Sequence, residues 1–299
     1  MPENIVCIFN PEHDLCLANG SIHYVPPESA IAFAIRDAAI MQALYPNATC
    51  LSVYDKGLEA ALQYCEVLHV WGWDAVVRHE LLQHGVPTNL IPSAEEVATI
   101  RQLQHRATIL PLQPDCCVIN SDLEMNALLE RNDRWVLKAP WSGAGRGLRW
   151  IDGRMTDLDN SWLKRQLAHQ GCVIAEPFRH VAANVALEYH IGTSGDNEQQ
   201  RQLVFKGYSC FVTHRGVYKE NYMWSDNEIA DRFAKTDLQA VRQQVERWLC
   251  NHIMERYLGP LGVDLMVCDD NSVHVGEINF RHTMGMVAHE KIKERIKLL

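Results

Sequence analysis

The chain has 299 residues, of which 47% are hydrophobic and 22% charged, and a formal net charge of −9. That length supports a large buried core and more than one average domain. The acidic balance, with no basic block, argues against non-specific binding to nucleic acid or to an anionic membrane. No apolar run approaches the ~20 residues of a membrane helix. The opening "MPENIVCIFNPEHD" lacks the cationic and long apolar segments of a signal peptide. Ten cysteines without a CxxC spacing read as reduced, mostly buried thiols of a cytoplasmic protein.

In chain order, "NIVCIF" reads as a first buried strand. "PPESAIAFAIRDAAIMQAL" reads as one helix opened by Pro26 and Pro27. "ATCLSVY" and "VLHVWGW" are predicted strands. "DAVVRHELLQHG" is a helix capped by Asp74 and closed by Gly85. "SAEEVATIRQLQ" opens with a capping box, Ser93 to Glu96. Strands alternating with helices imply a parallel sheet, whose ligands lie at the C-terminal strand ends. "NPEHD" (Asn10 to Asp14) and "GWD" (Gly72 to Asp74) follow strands and fall at those ends.

The proline-rich "LPLQP" (Leu110 to Pro114) reads as a linker. Beyond it the pattern predicts a helix (122–131), a strand (135–139), a glycine-rich loop, a strand (148–151), a helix (157–169) and a strand (172–176). From Val185 the chain turns antiparallel, followed by a helix over about 237–257, a hairpin and a C-terminal helix.

The loop "KAPWSGAGRGLRW" does not match the Walker pattern, because Lys138 precedes its glycines. It does not match the Rossmann fingerprint either, because its spacing is GxGxG and a strand follows. It is a glycine turn between two strands. Such a turn folds over phosphates, with Lys138 reaching the same groups, or it is a plain hairpin turn with a surface lysine.

The segment "GVDLMVCDDNSVHVGEINFRHTMG" (262–285) carries a second signal. A two- or four-residue loop at "DDNS" places Asp264 directly opposite Glu277, with Asn279 on the same face; a three-residue loop breaks that pairing. Opposed carboxylates repel, and a divalent cation between them reverses the sign. Oxygen ligands from Asp, Glu and Asn suit Mg²⁺. The alternative is a solvated acidic face, which the apolar flanking strands disfavour.

A lysine on a strand, a glycine-rich turn, an acidic strand, then Asp and Glu-x-Asn on a late hairpin resemble the motif order of the ATP-grasp superfamily, of the carboxylate–amine ligase type related to glutathione synthetase. "WVLKAPWSGAGRGL", "CVIAEPF", "GVDLMV" and "VGEINFRHTMG" carry the resemblance, which covers the chain from about Ser93. It implies an α/β fold. A parallel βα domain (1–112) is followed by two α+β subdomains that clamp ATP: a small one with the glycine lid (113–180) and a large one with the metal site (181–299).

The resemblance further implies that Lys138 binds phosphates under a lid running from Ser142 through Gly143 and Gly145 to Gly147. Glu176, Pro177 and Phe178 form the adenine hinge, and Glu188 bonds the ribose. Asp264, Glu277 and Asn279 hold Mg²⁺, expected as two ions with Mn²⁺ able to substitute. Arg281 faces the γ-phosphate or an acceptor carboxylate, and Lys206 adds a second cation to the cleft. The lysine usual before the grasp is absent, and Arg106 stands nearest its place. No arginine precedes Asp264, so Arg281 or Arg215 takes that role or the chemistry differs.

The implied reaction is ATP-dependent ligation of a small-molecule carboxylate to an amine or thiol through an acyl phosphate, releasing ADP. A kinase on the same scaffold and a nucleotide-binding regulatory protein are the alternatives. Acceptors are expected near His13, Asp14, Trp73, Arg215, Lys219 and Arg281. A homodimer is the expected assembly, without nucleic-acid or membrane partners.

Overall fold

A computed structural model describes residues 4–130, 134–143, 147–194, 197–214 and 216–297. Gly145 and Arg215, both expected at the site, lie outside the described residues. The first sheet is parallel, ordered β2-β1-β3, from β1 (Ile5–Ile8), β2 (Thr49–Leu51) and β3 (Val67–Val70). Around it lie α1 (His13–Asn19), α2 (Glu28–Asp37), α3 (Leu58–Leu62), α4 (Ala75–Gln83) and α5 (Ala94–Leu103). Asp74 caps α4 by accepting from the N–H groups of Val76 and Val77, and Gly85 closes it with a φ of 74°. The Ser93–Glu96 capping box forms as expected.

Two local expectations fail. The helix read over 26–44 breaks at Asp37 (φ −105°) and continues as a 3-10 segment, Ala38–Ala43. The proline-rich "linker" is a packed 3-10 segment, Arg106–Leu112, with Ile109 and Leu112 in the large hydrophobic core. Its physical role is to cover a strand edge. Gln104 and Gln113 donate side-chain N–H groups to the Ile278 and Val275 carbonyls, at 3.1 and 2.5 Å, on the outermost strand of a sheet.

The second sheet is antiparallel, ordered β4-β7-β5-β6. It contains β4 (Cys117–Ile119), β5 (Arg134–Lys138), β6 (Leu148–Asp152) and β7 (Val173–Pro177), backed by α6 (Asp122–Leu129) and α7 (Asp157–Gln170). The third, ordered β10-β9-β8-β11-β12, contains β8 (Val181–Ser194), β9 (Asn197–His214), β10 (Val217–Tyr222), β11 (Gly259–Cys268) and β12 (Val273–Asn279). It carries α8 (Asp226–Arg232), α9 (Leu238–His252) and α10 (Met284–Lys297). The mixed α/β architecture, parallel first and antiparallel after, is the one the sequence predicts. Sequence patterning missed α1, α3, β4, β10 and α8. Among the described residues no helix is long and apolar enough to cross a membrane.

The β11–β12 hairpin reaches the expected pairing by an unexpected route. The turn is a three-residue loop, Asp269–Asn271, closed by the Cys268 N–H donating to the Ser272 carbonyl, with Asn271 left-handed at φ 68°. That loop alone would set Asp264 opposite residue 276. An irregularity between Leu265↔Val275 and Asp264↔Glu277 leaves Gly276 unpaired and absorbs the slip. Val273, Val275 and Ile278 consequently stay in the core while Glu277 turns to the other face.

Candidate active site

A cleft of about 670 Å³ opens between the second and third sheets. The second sheet supplies Val136, Lys138, Leu148, Trp150 and Glu176, and the third supplies Asn184, Phe211, Asp264, Met266, Gly276 and Glu277. Lys138 Nζ donates to Glu176 Oε2 at 2.8 Å, and both side chains are largely buried. They project from neighbouring antiparallel strands, β5 and β7, where Glu176 pairs with Val136. Pro177 pairs with Trp135, and the Phe178 N–H donates to the Arg134 carbonyl (3.1 Å) under the Arg134 guanidinium. Of the three residues expected as the hinge, Glu176 and Phe178 line the cleft.

Across the cleft, Asp264 and Glu277 are directly opposed. Burial, and next the charge of Glu277, push the Asp264 carboxyl up to about 7; Arg281 and the Asn279 amide offset part of this. Asn279 donates to Asp264 Oδ2 at 3.2 Å and accepts from Arg281 at 3.0 Å. Among the described residues no three His, Cys, Asp or Glu side chains gather as a metal cluster. The donor set here is two carboxylates and one amide oxygen. Its all-oxygen chemistry fits a hard divalent cation, although Arg106 already pairs with Glu277 and Arg281 with the Asn279 oxygen.

Arg106 ties this face to the glycine segment. It is buried, and its guanidinium donates to the Ala139 carbonyl, to Ser142 Oγ (2.7 Å), to the Ser142 carbonyl (2.9 Å) and to Glu277 Oε1 (2.9 Å). Gly147 leaves no room for a side chain, since a Cβ would lie 2.2 Å from Ser142 Oγ. At Gly143 a Cβ would lie 2.4 Å from Asp14 Oδ2, so the segment lies directly on α1. Asp14 accepts from Arg281 at 3.1 Å. Burial works to raise Asp14, but Arg281, His13 and Arg106 hold its carboxyl below the usual range.

Other expected residues fall elsewhere. Glu188 is buried under the start of α10, where it accepts from Ser209 (2.9 Å) and Thr283 (2.8 Å) and does not line the cleft. Desolvation lifts its carboxyl to about 7, with the Asp264 charge adding to the rise. The polar side chain that β8 does send into the cleft is Asn184, which donates to Thr213 at 3.4 Å. Lys206 is exposed at an irregularity between the Glu188↔Gly207 and Tyr189↔Phe205 pairs, outside the cleft lining. Lys219 is exposed on β10, and Trp73 packs between two hydrophobic cores.

Sequence reading also missed the aromatic wall of Phe211, Tyr222, Trp224 and Phe233. Tyr222 and Trp224 stack at 4.1 Å, and Arg232 covers Trp224. The alternation of "NYMW" around β10 was its only signal.

No family model and no curated protein sequence matches the chain. Solved structures do. N5-carboxyaminoimidazole synthetase from Staphylococcus aureus, complexed with ADP, is 15% identical with a TM-score of 0.54, covering 94% of this chain and 71% of that one. D-cycloserine synthetase DcsG is 13% identical with a TM-score of 0.54 over 87% and 93%. D-alanyl-alanine synthetase A from Vibrio cholerae is 11% identical with a TM-score of 0.50 over 78% and 72%. The shared fold is ATP-grasp.

Proposed function

We propose that this ATP-grasp chain is a Mg-ATP-dependent ligase that joins a carboxylate to an amine or thiol and releases ADP and phosphate. One observation carries the reading: Asp264 faces Glu277, with Asn279 beside them, across a cleft from the Lys138–Glu176 pair. Arg106 pairs with Glu277, yet burial and the facing Glu277 still raise the Asp264 carboxyl, a cost that a cation bound between the two would offset. The ADP complex of the S. aureus structure and the synthetase names of the other similar structures support the same reading.

In this reading Asp264, Glu277 and Asn279 hold Mg²⁺, which supplies charge neutralisation at the phosphates. Val136, Phe178 and Met266 line the cleft and would offer apolar surface to the base. Lys138 leaves Glu176 to meet a phosphate oxygen. The Ser142–Gly147 segment covers the phosphates and excludes water, so that the activated acyl group meets the amine first. The acceptor carboxylate attacks the γ-phosphorus and ADP departs with the bonding electrons. The amine then attacks the acyl carbon, and phosphate leaves. No side chain need take a proton in the first step; positioning and charge perform it.

The test is ADP release from Mg-ATP against pooled carboxylic acids, with and without pooled amines, with Glu277→Gln as the blank. ADP formation that needs both pools and falls by about two orders of magnitude or more in the variant is expected. A stable phosphorylated acceptor formed without any amine would instead establish a kinase, and failure to bind nucleotide would sink both.

A further inference from the structure

The helix α2 lies on the connection between the parallel strands β1 and β2, and its sequence "ESAIAFAIRD" reads like a core element. The structure leaves it largely bare. Of the six consecutive apolar residues 30–35, only Ala34 is buried. Ala32, Phe33 and Ile35 are exposed, and so are Ile22 and Val25 on the approach to the helix. Four of the thirteen large apolar side chains exposed among the described residues therefore fall within 22–35. Single exposed apolar side chains are ordinary, but several gathered on one face mark an interaction surface. The footing of this face is fixed. Phe33 rests edge-on against the buried Phe9, with ring centroids 5.9 Å apart, and Phe9 meets Trp71 in the same way at 5.1 Å. None of these side chains lines the nucleotide cleft.

The charges on the face say what covers it. Glu28, Ala32 and Arg36 are all exposed and spaced by four, so they form one ridge along the helix. An acid stands at one end, a cation at the other and a small residue midway. Arg36 is 73% exposed and spends two of its five N–H donors on Asp37. An antiparallel copy of the same ridge, related by a two-fold axis through Ala32, sets each Glu28 against the Arg36 of the other copy. Ala32 then meets Ala32 at the crossing, where the missing bulk lets the backbones approach. Phe33 and Ile35 flank that point on either side of the ridge. The antiparallel arrangement also sets the helix dipoles head to tail.

We infer that α2, with the segment 22–25 before it, is the centre of an isologous interface to a second copy of this chain. A homodimer is expected from the sequence, but without a surface to form it, and the exposed ridge supplies one. A face that carries opposite charges at equal distances on both sides of a small residue is its own complement; a partner of another sequence gains nothing from that symmetry. A uniformly acidic or basic partner meets repulsion at one end of the ridge. Stable dimers bury about 800 Å² a side around an apolar centre with a polar rim. A helix of ten residues, about 15 Å long, with two apolar side chains on its approach, has the size of such a centre.

The experiment is analytical ultracentrifugation of the full chain at loading concentrations of about 0.1–100 μM. Wild type is expected to form a dimer within that range. Ala32→Glu places two carboxylates at the crossing and is expected to weaken the dimer about a hundredfold or more. Glu28→Arg reverses two exposed ion pairs and is expected to weaken it about tenfold. Adding Arg36→Glu to that variant re-forms both pairs with the signs exchanged, and is expected to return the affinity to within about threefold of wild type. The three positions are exposed, so each variant should melt with wild type at a concentration where all are monomeric, which certifies that it is folded. Wild type that stays monomeric at every concentration overturns the inference without any variant. So does a dimer that Ala32→Glu leaves intact, or a double variant that dimerises as weakly as Glu28→Arg alone.

Discussion

His282 shows how a single buried side chain holds the site in place. Tyr45 Oη donates to its Nε2 (2.9 Å), and its Nδ1 donates to the Val70 carbonyl (3.1 Å) at the end of β3. That arrangement requires the neutral ring, and burial drives its pKa down to about 4. The unfolded histidine titrates near 6.5. The folded state therefore loses stability as pH falls from about 6.5 towards 4, and keeps it in full above that window. Denaturant midpoints measured at pH 7 and pH 4.5 are expected to show wild type losing about 2–3 kcal/mol more than His282→Gln. An equal loss in both proteins would assign the acid sensitivity elsewhere. None of this was legible in "FRHTMG", because Tyr45 lies 237 residues away. The opposed Asp264 and Glu277 were legible from residue type and strand alternation, whereas only the resemblance put Lys138 in the same cleft. Glu188 misled because its chemistry suits a ribose, while the β8 pairing puts it beneath α10.

At the scale of the element, the β11–β12 hairpin tests what pattern reading captures. Asn271 sits at φ 68°, where a glycine is unstrained and a β-branched residue is not. Asn271→Gly is expected to hold or raise the thermal midpoint, and Asn271→Val to lower stability by about 1–2 kcal/mol. Equal effects would mean that the turn adopts another loop type. The strand periods and the facing carboxylates were readable in the sequence. The loop length and the unpaired Gly276 were not, because two one-residue offsets cancel and leave the same pair opposed. The spacing of buried positions offered the clue: Val273, Val275 and Ile278 step by two and then by three. The stretch before the second sheet was misread for a related reason. Prolines mark a break in helix, but whether the break is free or packed depends on a strand edge 162 residues later.

Across the molecule, separate hydrophobic cores serve the first, second and third sheets, and the proposed nucleotide site lies where the second and third face each other. A ligand that contacts both is expected to stabilise their joint arrangement. Mg-ATP at about a hundred times its dissociation constant corresponds to about 2.7 kcal/mol, or a rise of a few degrees in the thermal midpoint. Scanning calorimetry with ATP, Mg²⁺ and both together tests this, and Glu277→Gln should lose most of the gain. An unchanged midpoint with saturating Mg-ATP would contradict binding across the two sheets. Arg106 then acquires a consequence of its own. One guanidinium grips the base of the glycine segment at Ser142 and the Glu277 carboxylate at once. If Glu277 holds the proposed cation, whatever free energy that cation changes in the grip on Ser142, closure over Ser142 must return in the grip on the cation. On that reading Ser142 and Glu277 share a single hinge pin, and neither can be loosened without the other registering it.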